Sequence, residues 1–120
     1  MRSFAKFAAL LVSATLVGSG SSLADPPPIN FATQITADAS FGSDNCPELS
    51  LDQEVWALHV HNAIDPDTLT SEHAQNLMIY HTAKNQEIMQ EFGRRDICQL
   101  MLRRYGPDGT VAAGIFANAN

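Results

Sequence analysis

The chain has 120 residues, 13 acidic against 7 basic side chains, and a formal charge of −6. That length holds one small domain. The acidic balance works against nucleic acid or anionic lipid as a partner over most of the surface.

Arg2 and Lys6, the apolar stretch Phe7 to Val17 and the small-residue run Ser22-Leu23-Ala24 predict a secretory signal over residues 1–24, cleaved near Ala24. The apolar stretch is shorter than the roughly 20 residues a membrane span requires, and no later segment qualifies. The product is therefore expected in the periplasm or outside the cell, not embedded in a membrane. Removing the signal leaves five bases against thirteen acids, with nine carboxylates and no lysine or arginine between Asp25 and Glu72. Solubility outside the cytoplasm accounts for such a balance, and recognition of a basic partner is the functional alternative.

Residues 25–45 open on Asp25-Pro26-Pro27-Pro28 and continue in Ala, Ser, Thr, Gly and Asp with isolated Phe31, Ile35 and Phe41. This composition reads as an irregular, Pro-containing arm whose apolar residues dock on a helical domain spanning 46–120. Ser50 and Gln53 form a capping-box pattern for a first helix over 51–63, with Leu51, Val55, Leu58 and Asn62 on one stripe and Trp56, His59 and Ala63 beside it. Asp65-Pro66-Asp67 ends that helix.

Thr70-Ser71-Glu72 starts a second helix. Its inner stripe is Ala74, Leu77, Met78, His81, Asn85, Ile88, Met89 and Phe92, and it ends or bends at Gly93. A third helix runs over 97–105, capped by Asp96, with Ile97, Leu100 and Met101 inward, and stops at Gly106-Pro107. Pro107-Asp108-Gly109 is a turn, and Val111 to Phe116 lies back on the helices. No alternating run argues for a sheet. The expected class is all-α, a small three-helix domain.

Cys46 and Cys98 are an even pair in an oxidising compartment, which predicts a disulfide. Closing a loop of about 53 residues contributes about 4 kcal/mol in the chain-entropy account. The same pairing removes Cys98 as a reactive thiolate, despite its arginine neighbours.

No motif for a cofactor, phosphate loop, metal finger or nucleophile is present, so catalysis is not expected. Four histidines raise a metal alternative. His59 and His61 fall on opposite helix faces, and His73 and His81 lie about 12 Å apart along an axis. A zinc or copper site therefore needs His61 and His73 brought together across two helices, with Asp65 and Asp67 nearby. The run Asp65 to Glu72 lacks the glycine and terminal glutamate of an EF-hand and reads as helix end, turn and cap.

Arg94, Arg95, Arg103 and Arg104 are expected to neutralise the acidic half across the helix interface, with Glu91 and Arg95 as an i,i+4 pair. They are also the candidate contacts for an anion or acidic partner. Met78, Met89 and Met101 offer adaptable apolar contacts.

In size, export and two distant cysteines bracketing helices, the chain resembles the small periplasmic acid-stress chaperones, without the lysine-rich tail of that group. The resemblance implies holding of client proteins loosened by acid. The expected function is binding, to another protein not identified by the sequence and in a chaperone-like role under envelope stress. A histidine-based metal-binding accessory or sensor is the alternative.

Overall fold

Cys46 and Cys98 join the end of one helix to the inner face of another, with a Cα–Cα distance of 5.7 Å. The computed structural model describes residues 27–119; the expected signal segment and its cleavage site near Ala24 lie outside them. Four α-helices are present among the described residues: α1 (Pro27–Asn45), α2 (Gln53–Ala63), α3 (Glu72–Phe92) and α4 (Arg94–Tyr105). The all-α class and the disulfide stand. The domain has four helices rather than three, because the expected irregular arm over 25–45 is helical from Pro27.

The composition of α1 concealed it. Residues 32, 33, 35, 37, 38, 39, 41 and 42 are all buried, so α1 is enclosed nearly all round and carries no single apolar stripe. Ala32, Ala37, Ala39 and Gly42 allow neighbours to approach closely. At Gly42 a Cβ would lie 2.6 Å from Cζ of the Phe116 ring. Thr33 satisfies its buried hydroxyl locally by donating to the carbonyls of Ile29 and Asn30, at 2.9 and 3.0 Å. Prolines 27 and 28 sit in the first turn, where their missing N–H groups leave no hydrogen bond unmade. α1 packs on α3, α2, α4 and the strand that follows it.

That strand, β1 (Leu49–Leu51), pairs antiparallel with β2 (Phe116–Asn118), Leu49 opposite Asn118 and Leu51 opposite Phe116. The ladder was not expected. It is short and joins segments far apart in sequence, so no alternating pattern announces it. It also keeps Ser50 extended, which moves the cap of α2 from Ser50 to Asp52, whose Oδ1 accepts from the Val55 N–H at 3.1 Å. The C-terminal tail does lie back on the helices, with Ala112, Ile115 and Phe116 buried.

α2 is also rotated from expectation. Val60 is buried and Val55, Trp56, His59 and Ala63 are half-buried, whereas Leu58 and Asn62 face water. Asp65 caps a 3₁₀ turn over Pro66–Thr70, and Ser71 Oγ caps α3 through the Ala74 N–H. Along α3 the expected stripe is inward or half-buried except at Phe92. Gly93 then turns the chain with φ 97° and ψ 163°, and α4 begins at Arg94, so Asp96 lies inside its first turn instead of capping it.

The core gathers Ile35, Cys46, Val60, Ile97, Cys98, Met101, Tyr105, Ile115 and Phe116. Tyr105 and Phe116 meet edge to face, with ring centres 6.4 Å apart. No helix among the described residues is long and apolar enough to cross a membrane.

Candidate functional site

The four arginines divide into two pairs by what they meet. Arg94 Nη1 donates to Glu48 Oε1 at 2.8 Å and to the Asn45 carbonyl at 3.3 Å, and lies 3.6 Å from Cys98 Sγ. It clamps the start of α4 to the chain leaving α1, beside the disulfide. Its hydrogen bond holds the Glu48 carboxyl below the usual glutamate value. Arg104 Nη1 reaches inward to Asp38 Oδ2 at 3.3 Å. Arg95 and Arg103 are exposed, with no ion pair among the described residues, and the expected Glu91–Arg95 pair is not made.

Asp38 is the polar centre of the fold. Its residue is 1% exposed, and both carboxylate oxygens are engaged. Asn85 Nδ2 donates to Oδ1 at 2.6 Å, while Tyr105 OH and Arg104 donate to Oδ2. The carboxylate thus joins α1, α3 and α4 at one point. Burial, followed by the charge of Asp38 and the hydrogen bond to it, pushes the Tyr105 phenol well above its usual value. The carboxylate accepts three bonds, and with the phenol that donates to it fixes these helices in place.

This centre borders a cleft of about 250 Å³ whose lining includes Gln34, Tyr80, His81, Lys84 and Arg104. His81 Nε2 donates to Asn30 Oδ1 at 3.1 Å. Burial lowers the His81 pKa; Asp38 acts against that shift and Arg104 adds to it.

The remaining histidines do not converge. His59 Nε2 donates to the Ala113 carbonyl at 3.0 Å, pinning the tail to α2, while His61 and His73 are exposed. Asp65 Oδ1 accepts from the Asp67 N–H, so it serves the 3₁₀ turn. Among the described residues no group of three or more His, Cys, Asp or Glu is placed to hold a metal ion. The set His61, His73, Asp65 and Asp67 is therefore not assembled.

Large apolar side chains face water instead. Ile79 is 66% exposed, Tyr80 56% and Phe92 58%, all on α3, and Leu58 on α2 is 59% exposed. Ile79 lines a groove with Met78 and Ala83. Phe92 flanks a second groove with Ile88 and Leu100, whose polar members include Asp96 and Arg103. Of the three methionines expected to offer contacts, Met101 is fully buried, and Met78 and Met89 are half-buried. The exposure of Ile79 and Tyr80 on α3 follows from the sequence by subtraction, since both fall outside the inward three-four spacing. Asp38, by contrast, has no local signal that distinguishes it from the other carboxylates.

No protein-family model matches the chain, and neither the curated proteins nor the solved structures provide a match.

Proposed function

We propose that the chain is an exported binding protein that holds apolar segments of other proteins, in a chaperone-like role under envelope stress. The observation carrying this reading is the exposure of Ile79, Tyr80 and Phe92, three large apolar residues more than half open to water on one 21-residue helix. Each of these side chains leaves apolar area open to the apolar segments of an unfolded partner. Beneath it, the Cys46–Cys98 bond and the Asp38 centre hold the helices together. The disulfide suits an oxidising compartment, and the acidic surface favours solubility.

The test is light scattering of an acid-unfolded or heat-unfolded client protein, with and without the chain, at neutral and acidic pH. Suppression is expected in at least one condition and is expected to be weakened in the variant Ile79→Ser with Phe92→Ser. Both substitutions lie on exposed positions, and circular dichroism establishes that the fold is kept. No suppression at either pH, or full suppression by the double variant, overturns the reading.

A further inference from the structure

Two buried polar atoms have no hydrogen-bond partner among the described residues, Thr36 Oγ1 on α1 and Trp56 Nε1 on α2. Both residues line one groove of about 380 Å³ between these helices. An unpartnered buried donor or acceptor is costly and requires an explanation. Here two of them occur beside a space large enough for an occupant. Ala39, Leu51 and the Trp56 side chain supply apolar surface, and Asp44 and Gln53 are exposed members of its lining.

We infer that this groove binds a short basic peptide segment of another protein. The indole N–H can only donate, whereas the threonine hydroxyl can donate or accept. A peptide amide matches both, its carbonyl accepting from Trp56 and its N–H donating to Thr36. A hydrocarbon leaves both atoms unpartnered. The sign of the partner follows from charge. No lysine or arginine occurs between residues 25 and 72, the region that supplies both helices of the groove. Nearby carboxylates have other duties, Glu48 paired with Arg94, Asp38 with Arg104, and Asp52 capping α2. Asp44 has no ion pair among the described residues. It is positioned on the groove to meet a lysine or arginine side chain, whose aliphatic stem can lie along Leu51 and the indole. The two orphan atoms are closed to bulk water, so the peptide reaches them by displacing exposed lining side chains such as Gln53.

The proposal extends the client-holding reading to a separate surface, so the scattering assay on α3 and a titration of this groove fail independently. Trp56 is the only tryptophan in the chain, and its fluorescence reports on the groove directly. The disulfide-bonded chain is titrated with the capped peptide Ac-Ala-Lys-Leu-Lys-Ala-amide, with its glutamate counterpart, and with spermine as an amide-free polycation. A saturable change is expected with the lysine peptide, and binding at least about tenfold weaker with the other two. Asp44→Asn and Thr36→Val are each expected to weaken the lysine peptide by about tenfold. Thr36→Val is also expected to leave the thermal midpoint of the free chain unchanged or raised, because it removes an unpartnered hydroxyl. No saturable change with the lysine peptide overturns the proposal, as does equal binding of the glutamate peptide or spermine. Unchanged binding by either variant also overturns it. So does a lowered midpoint for Thr36→Val, which would mean that a trapped water already satisfies the hydroxyl.

Discussion

Asn85 Nδ2 donates to Asp38 Oδ1 across 2.6 Å, linking two side chains on residues only 2% and 1% exposed and 47 positions apart in sequence. Because the acceptor is a buried carboxylate, removing one donor leaves charge under-compensated. Asn85→Ala is expected to destabilise the fold by about 2 kcal/mol. Asp38→Ala is expected to cost about 3–5 kcal/mol, since Arg104 and Tyr105 both lose their acceptor. The double variant should fall short of the sum by at least about 0.5 kcal/mol in urea unfolding. Strict additivity would mean that the two side chains do not act as one unit.

Tyr105 gives the fold an alkaline limit. Its folded pKa is raised, chiefly by burial and then by Asp38. In the unfolded chain the phenol ionises near 10, whereas in the folded protein it keeps its proton. The stabilisation is fully present below about pH 10 and is lost as pH rises from there through the higher folded value. Tyr105→Phe should flatten this alkaline decline while costing about 1.5–3 kcal/mol at neutral pH through the lost bond to a charged acceptor. Urea midpoints measured from pH 8 to 11, with tyrosinate absorbance alongside, check both parts. A decline of equal steepness in the variant would assign it to another group.

What could be read in advance depended on whether the signal was local. Ser71 as a cap, the inward stripe of α3, the glycine after Phe92 and the stop at Gly106 are each written within a few residues. The cysteine pair follows from parity and from the oxidising compartment that the sequence leads one to expect. α1 failed because its helical stability comes from tertiary packing: Ala32, Ala37, Ala39 and Gly42 resemble loop residues until partners surround them. The general expectation that arginines neutralise the acidic half found its counterpart in Arg94–Glu48 and Arg104–Asp38. Which carboxylate each arginine meets depends on where α1 lies, and so could not be read from spacing. The same holds for the Thr36–Trp56 groove, which exists only because α1 is a helix beside α2.

The Cys46–Cys98 bond makes a separable contribution. Its sulfurs belong to residues 0% and 3% exposed, so reduction in the folded state should be slow and follow opening of the core. Cys46→Ala with Cys98→Ala is expected to lower stability by about 4 kcal/mol from loop-closure entropy. Denaturant unfolding of oxidised and reduced chains checks the size. Alkylation of the native chain checks the pairing, with no thiol expected to react. Two reactive thiols before denaturation would refute the staple.

Two glycines should resist replacement for different reasons, and suppressor substitutions separate them. At Gly42 the backbone is helical, and alanine would gain about 1 kcal/mol of propensity. Its Cβ, however, would sit 2.6 Å from Phe116 Cζ and 2.9 Å from Cε2. Phe116 is fully buried and held against Tyr105, so overpacking costs about 1–3 kcal/mol and Gly42→Ala should be neutral to destabilising. Introduced into a Phe116→Leu background, the same change should become favourable. Gly93 has open space around its missing Cβ, yet its φ of 97° and ψ of 163° belong to a region essentially restricted to glycine. Gly93→Ala should therefore cost about 1–3 kcal/mol with no packing suppressor. Asparagine should do no better, because the left-handed helical basin it tolerates lies at much smaller ψ. Thermal midpoints of the four variants decide the matter: a Gly93→Asn chain as stable as the parent would show that the turn can relax.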